Sequence, residues 1–212
     1  MCRERTFFTA VALGASMCLG PTTASADNHF ILELGGGAAH PVGQDSDISA
    51  GFAGVMTLGV GGRIRGLAPT WYLVGRVGYA DGEQTGPPEA GSATIDRSAW
   101  EAAGGGRMYF PLAERLRLVT EIDVGEVFES AKVARARHPS VSFETNPLAV
   151  FLLAGLQYRV SDGLALGGGV DLAWYMSRTD AGRDVAATAA GIDPADESRG
   201  RVRYVLTTTL HF

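Results

Sequence analysis

Cysteine is nearly missing from this chain: of 212 residues, 2 are cysteines, Cys2 and Cys18. Both fall in an opening stretch with basic Arg3 and Arg5, an apolar segment from Phe7 to Leu19, and the small-residue run Ala24-Ser25-Ala26. That order of features is a secretory signal, so residues 1–26 are expected to be removed and the mature domain to span 27–212. Met17 is a poor neighbour for a lipid-modified Cys18, which favours ordinary cleavage after Ala26 over a lipid anchor. The mature chain would then have neither disulfides nor a four-cysteine metal site.

Basic charge is also scarce. Removing Arg3, Arg5 and Glu4 from 18 basic and 23 acidic residues leaves 16 against 22, a formal −6, with no electrostatic footprint for nucleic acid. Long hydrophobic runs are absent after Ala26, which excludes a spanning helix of ~20 apolar residues. Yet 46% of the residues are hydrophobic and 29 are glycine. The apolar residues alternate with small or polar ones instead of clustering.

Alternation of period two is the mark of a strand with unlike faces. Eight such segments run Phe30 to Val42, Phe52 to Arg63, Trp71 to Ala80, Ala99 to Phe110, Leu116 to Phe128, Leu148 to Val160, Leu164 to Met176 and Arg201 to Phe212. Each is near the ~9–11 residues that a tilted strand needs to cross a bilayer. Short connections (Ile64 to Thr70, Pro111 to Arg115, Ser161 to Gly163) alternate with long polar ones (Gly43 to Gly51, Asp81 to Ser98, Glu129 to Pro147, Ser177 to Gly200). Such asymmetry belongs to transmembrane barrels with short periplasmic turns and long outer loops. Aromatics fall near both ends of the apolar faces, as two interfacial girdles would. The expected fold is an all-β, eight-stranded, antiparallel up-and-down transmembrane barrel.

With these features and its closing strand, the mature chain resembles the small outer-membrane barrels of the OmpA/OmpX type. The resemblance implies location in the outer membrane, contact with its lipids and lipopolysaccharide, and insertion by the barrel-assembly machinery. In that family the machinery reads a terminal strand ending in Phe, matched here by Tyr204, Leu206, Leu210 and Phe212, with Thr208 a weaker member. No peptidoglycan-binding domain is expected after Phe212.

If the apolar faces point to lipid, the opposite faces fill the lumen. Parity places Glu33, Glu101, Glu121, Asp123 and Asp171 inside with Arg76, Arg107, Arg117, Arg159 and Arg203. Eight strands leave room only for side chains, and an unpaired buried charge costs several kcal/mol. An ion-paired plug is therefore expected in preference to a porin-like open channel, with Glu121, Asp123 and Arg117 forming half of it. On that reading Arg117→Ala destabilises the barrel. The triplets Gly35–Gly37, Gly104–Gly106 and Gly167–Gly169 lie inside strands, where they serve close packing and curvature, not phosphate binding.

Specificity is expected in the long loops. Loop three carries Lys132, Arg135 and Arg137, a basic patch that could meet lipopolysaccharide phosphates or another polyanion at the surface. It also holds the sharpest enzymatic alternative, His138 and Ser140 with Glu129 or Glu144 nearby. A lipid A deacylase family of eight-stranded barrels uses a His-x-Ser pair with a Glu. Pro139, the lack of Asn-Ala after Ser140 and Leu152 in place of a downstream Glu depart from that pattern. His29, His40, His138 and His211 show no metal-ligand spacing. The sequence thus reads as a non-enzymatic barrel without cofactor or metal, serving envelope integrity or surface interaction.

Overall fold

The computed structural model describes residues 29–42, 51–63, 69–85, 94–134, 140–176 and 200–212. Residues 1–26, where a leader is expected, and three loop residues singled out above, Arg135, Arg137 and His138, lie outside them. Among the described residues nine strands are present: β1 Phe30–Val42, β2 Gly51–Arg63, β3 Thr70–Thr85, β4 Thr94–Pro111, β5 Leu116–Ala134, β6 Val141–Thr145, β7 Leu148–Arg159, β8 Leu164–Tyr175 and β9 Gly200–His211. β6 and β7 both pair with β5 and keep one register, Glu129 opposite Thr145 and Glu126 opposite Leu148. They are one barrel strand, interrupted at Pro147, which has no N–H for the ladder; its carbonyl still accepts from Val127 N at 3.0 Å. The result is a closed antiparallel barrel of eight strands.

Closure joins the first strand to the last. β1 pairs with β9 from Ile31 opposite His211 to Val42 opposite Gly200. Phe212 N donates to Phe30 O at 3.0 Å, and Phe30 N to Phe212 O at 3.3 Å. The terminal aromatic is thus held by a backbone pair. Following partners around the barrel from Thr70 leads through Tyr109, Val119, Gly155, Gly169, Val205, Gly37 and Ala53 to Ala80, ten residues higher on the same strand. Ten residues at ~3.4 Å, spread over eight strands ~4.8 Å apart, give a tilt of about 40°.

The faces sort by parity. Leu34, Phe52, Leu58, Leu73, Ile122, Leu156, Leu166 and Leu206 point out and are exposed, Leu206 by 76%. Inside, Arg107, Arg203 and Asp171 are 0% exposed. Apolar outside and charged inside is the reverse of a water-soluble protein and fits a hydrocarbon exterior. Trp71 near the short-turn end of β3 and Tyr79 toward its long-loop end are eight residues apart, about 21 Å along the tilted axis, close to the ~25 Å apolar band of such barrels. Among the described residues no helix is long and apolar enough to cross a membrane.

Two expected loops prove largely extended. β3 continues past Ala80 to Thr85, β4 begins at Thr94 ahead of Ala99, β5 runs past Phe128 to Ala134, and β6 lies within the expected third loop. Pairing continues from Thr85 opposite Thr94 to Thr94 opposite Ala134 and Val133 opposite Val141. Apolar alternation fades near Asp81 because a strand beyond the membrane has an outer face in water, while its backbone ladder needs no apolar residue. A four-stranded wall therefore projects on the long-loop side.

Two glycines make room for the interior charges. A Cβ on Gly78 would stand 2.8 Å from Glu101 Oε2 and 3.2 Å from Arg203 Nη1. On Gly105 it would run into the Ile122 carbonyl oxygen and the Asp123 carboxylate. Each glycine leaves volume that a facing chain fills.

Candidate functional site

The middle of the lumen is a chain of ion pairs supplied by strands far apart in sequence. Near the long-loop side, Arg201 Nη1 lies 3.4 Å from Glu101 Oε1. Glu101 Oε2 meets Arg203 Nη1 at 2.5 Å, and Arg203 Nη2 meets Asp171 Oδ2 at 2.5 Å. The same Asp171 oxygen accepts from Arg76 Nη2 at 2.5 Å. Arg76 Nη1 continues the chain to Asp123 at 3.5 Å and Glu121 at 3.6 Å. Glu121 bonds Arg107, whose Nη2 reaches Glu33 at 2.9 Å. Thr209 Oγ1 donates to Glu33 at 2.6 Å, and Gln157 Nε2 to Thr209 at 2.7 Å.

Aromatic rings complete the filling. The Arg76 guanidinium lies 4.8 Å and that of Arg203 5.9 Å from the ring centroid of buried Phe151. Apolar layers flank the charges: Ile31, Tyr72, Val74, Tyr109, Val119, Leu153 and Val205 in one, and Ala99, Val127, Ala149, Phe151, Ala173 and Tyr175 in another. Low dielectric strengthens each pair but raises the cost of removing one partner, so these charges hold one another in place.

Glu33, Arg76, Glu101, Arg107, Glu121, Asp123, Asp171 and Arg203 are thus brought together. Arg117 and Arg159, expected with them, are not. Arg117 has the inward parity but sits at the first turn-side residues of β5, where its Nη2 is 3.4 Å from His211 Nε2 and its guanidinium lies 5.1 Å from the Tyr109 ring. Arg159 pairs with exposed Asp162 at 3.0 Å beside the β7–β8 turn. The half-plug expected of Glu121, Asp123 and Arg117 is therefore replaced by Glu121 and Asp123 with Arg76 and Arg107. Parity determines which face a side chain takes, but not its level in a barrel whose strands shift by ten residues per circuit.

Arg201, Thr209, Tyr109 and Phe151 were missed as members. Arg201 and Thr209 share the parity of Arg203, a usable signal; the stacking of Phe151 beneath two arginines has none in its own strand. Higher up, Arg97 Nη1 meets Glu129 Oε1 at 2.7 Å on the projecting wall. Lys132 is exposed there on β5, not in a loop. Ser140 is exposed just before β6 and Glu144 is exposed on it, opposite Ser130. Tyr204, Leu206, Leu210 and Phe212 all face outward from the closing strand and its end. Among the described residues no cluster of three His, Cys, Asp or Glu is placed to hold a metal ion.

No protein-family model and no curated protein matches the sequence. Solved structures do. The chain is similar to neisserial surface protein A, at 12% identity and a TM-score of 0.55, over 86% of this chain and 97% of that one. It is similar to Ail, the attachment invasion locus protein of Yersinia pestis, at 12% identity and 0.54, over 88% and 99%. A major outer membrane protein from Thermus thermophilus superposes at 15% identity and 0.60, over 87% and 98%. The chain has the fold of the small eight-stranded outer-membrane barrels. Within such a small outer-membrane barrel, the buried arginine and carboxylate chain occupies the position where a wider barrel has water.

Proposed function

We propose that this chain is a closed outer-membrane barrel, non-enzymatic, that acts through the wall projecting beyond the membrane in surface interaction or envelope integrity. The observation that carries the reading is the filled lumen: Arg76, Arg107, Arg203, Glu101 and Asp171 cross its middle at 2% exposure or less. A water path along the axis would have to break these pairs, so the ion-paired plug argues against a small-solute pore. The paired strands β3 to β6 offer a continuous surface for a partner, and Lys132 stands on their outer face. Ail, of this fold, has been solved with the heparin analogue sucrose octasulfate, which supports a polyanion such as lipopolysaccharide phosphate as the chemistry to test at Lys132, Arg135 and Arg137. The outward residues Tyr204, Leu206, Leu210 and Phe212 serve, in this reading, as the signal to the assembly machinery after export by the cleaved leader.

Planar-bilayer recording tests the closure: purified barrel should give no unitary steps above the lipid baseline, and reproducible steps would replace this reading with a pore. Mass spectra of lipid A from cells expressing the wild type or Ser140→Ala should be identical; an acyl chain lost only with the wild type would make the protein a hydrolase.

A further inference from the structure

The short-turn mouth of the lumen differs in its charge from everything above it. Arg76, Arg107, Arg201 and Arg203 each have a carboxylate within 3.4 Å, and Arg97 has one on the wall at 2.7 Å. Arg117 has none among the described residues: its neighbour is His211 Nε2 at 3.4 Å, and its Nε is buried without a hydrogen bond. Tyr109, 1% exposed, packs its ring against the guanidinium. Arg159, on the next barrel strand and facing the same mouth, is paired among the described residues with the fully exposed Asp162, a pair that water screens. The lumen acids are already engaged with Arg76, Arg107, Arg201 and Arg203.

We infer that this mouth is a binding site for a small oxyanion, a phosphate or carboxylate group, received by Arg117 with Arg159 and His211 at its side. A guanidinium with free N–H groups presents a planar fork that matches the paired oxygens of either group. The apolar wall behind it, Tyr109 with Ile31 and Tyr72, lowers the local dielectric and strengthens attraction to an anion. Arg117 stays partly exposed at the opening, so a solute reaches it without disturbing the ion pairs above. In a barrel of this topology the mouth opens to the periplasm.

The test uses the full barrel folded in an uncharged maltoside detergent, titrated with sodium phosphate or sodium acetate against chloride at constant ionic strength. Side-chain NMR resonances of Arg117 and His211 should move and saturate. Affinity should fall at least tenfold in Arg117→Gln and severalfold in Arg159→Gln, and be unchanged in Arg97→Gln. Tighter binding of phosphate than acetate would point to a phosphate-bearing ligand, and the reverse to a carboxylate. Resonances that drift without saturation, or that saturate equally in Arg117→Gln, would overturn the inference. Should Arg117→Gln fail to fold, the wild-type titration and Arg159→Gln decide alone, and wild-type shifts that do not saturate or that Arg159→Gln leaves unaltered would overturn it.

Discussion

Two levels of one lumen treat the same residue type in opposite ways. At mid-height, Arg76 is buried and has four carboxylates within 4.0 Å, those of Glu101, Glu121, Asp123 and Asp171. At the short-turn mouth, Arg117 is half-buried beside a histidine, with Arg159 on the neighbouring barrel strand. The first arginine is part of the structure, since its removal strands several acids away from water. The second is available, since its removal strands no acid among the described residues.

The contrast breaks most visibly at Arg76. Arg76→Ala should cost about 3–5 kcal/mol, the range for removing one partner of a buried pair, read from urea unfolding in lipid vesicles. A loss under about 1 kcal/mol would mean that the mid-lumen charges do not depend on one another. Next comes Gly78→Val, which pushes a side chain against Glu101 and Arg203. About 1–3 kcal/mol is expected from overpacking, and a barrel as stable as the wild type would show that the pair has room to move. Thr209→Val removes one donor to the Glu33 carboxylate and the acceptor for Gln157, and should cost about 1.5 kcal/mol. The smallest effect belongs to Arg117→Ala, within about 0.5 kcal/mol of the wild type. This reverses what inward parity alone implies for that residue, and a loss like that at Arg76 would erase the distinction between the two levels.

The faces of the strands were legible because alternation is local. Leu34 and Glu33 separate to lipid and lumen by the geometry of one strand, whatever the others do. Closure was legible as well: Phe212 ends an alternating strand and finds Phe30 across the seam. The wall above the membrane was not, because Asp81, Glu83 and Asp96 carry no apolar period once both faces leave lipid. Nor was the difference between Arg107 and Arg117, two inward arginines on adjacent strands. Only the former stands at the level of Glu33 and Glu121.

By itself, then, the sequence determined a barrel of eight alternating strands, apolar outside and charged inside, because side-chain direction repeats every two residues within each strand. Only the tertiary structure decided which charge meets which. A ten-residue shift around the barrel sets the height of every side chain, joining Arg203 to Glu101 across 102 residues of chain and leaving Arg117 at the mouth without an acid among the described residues.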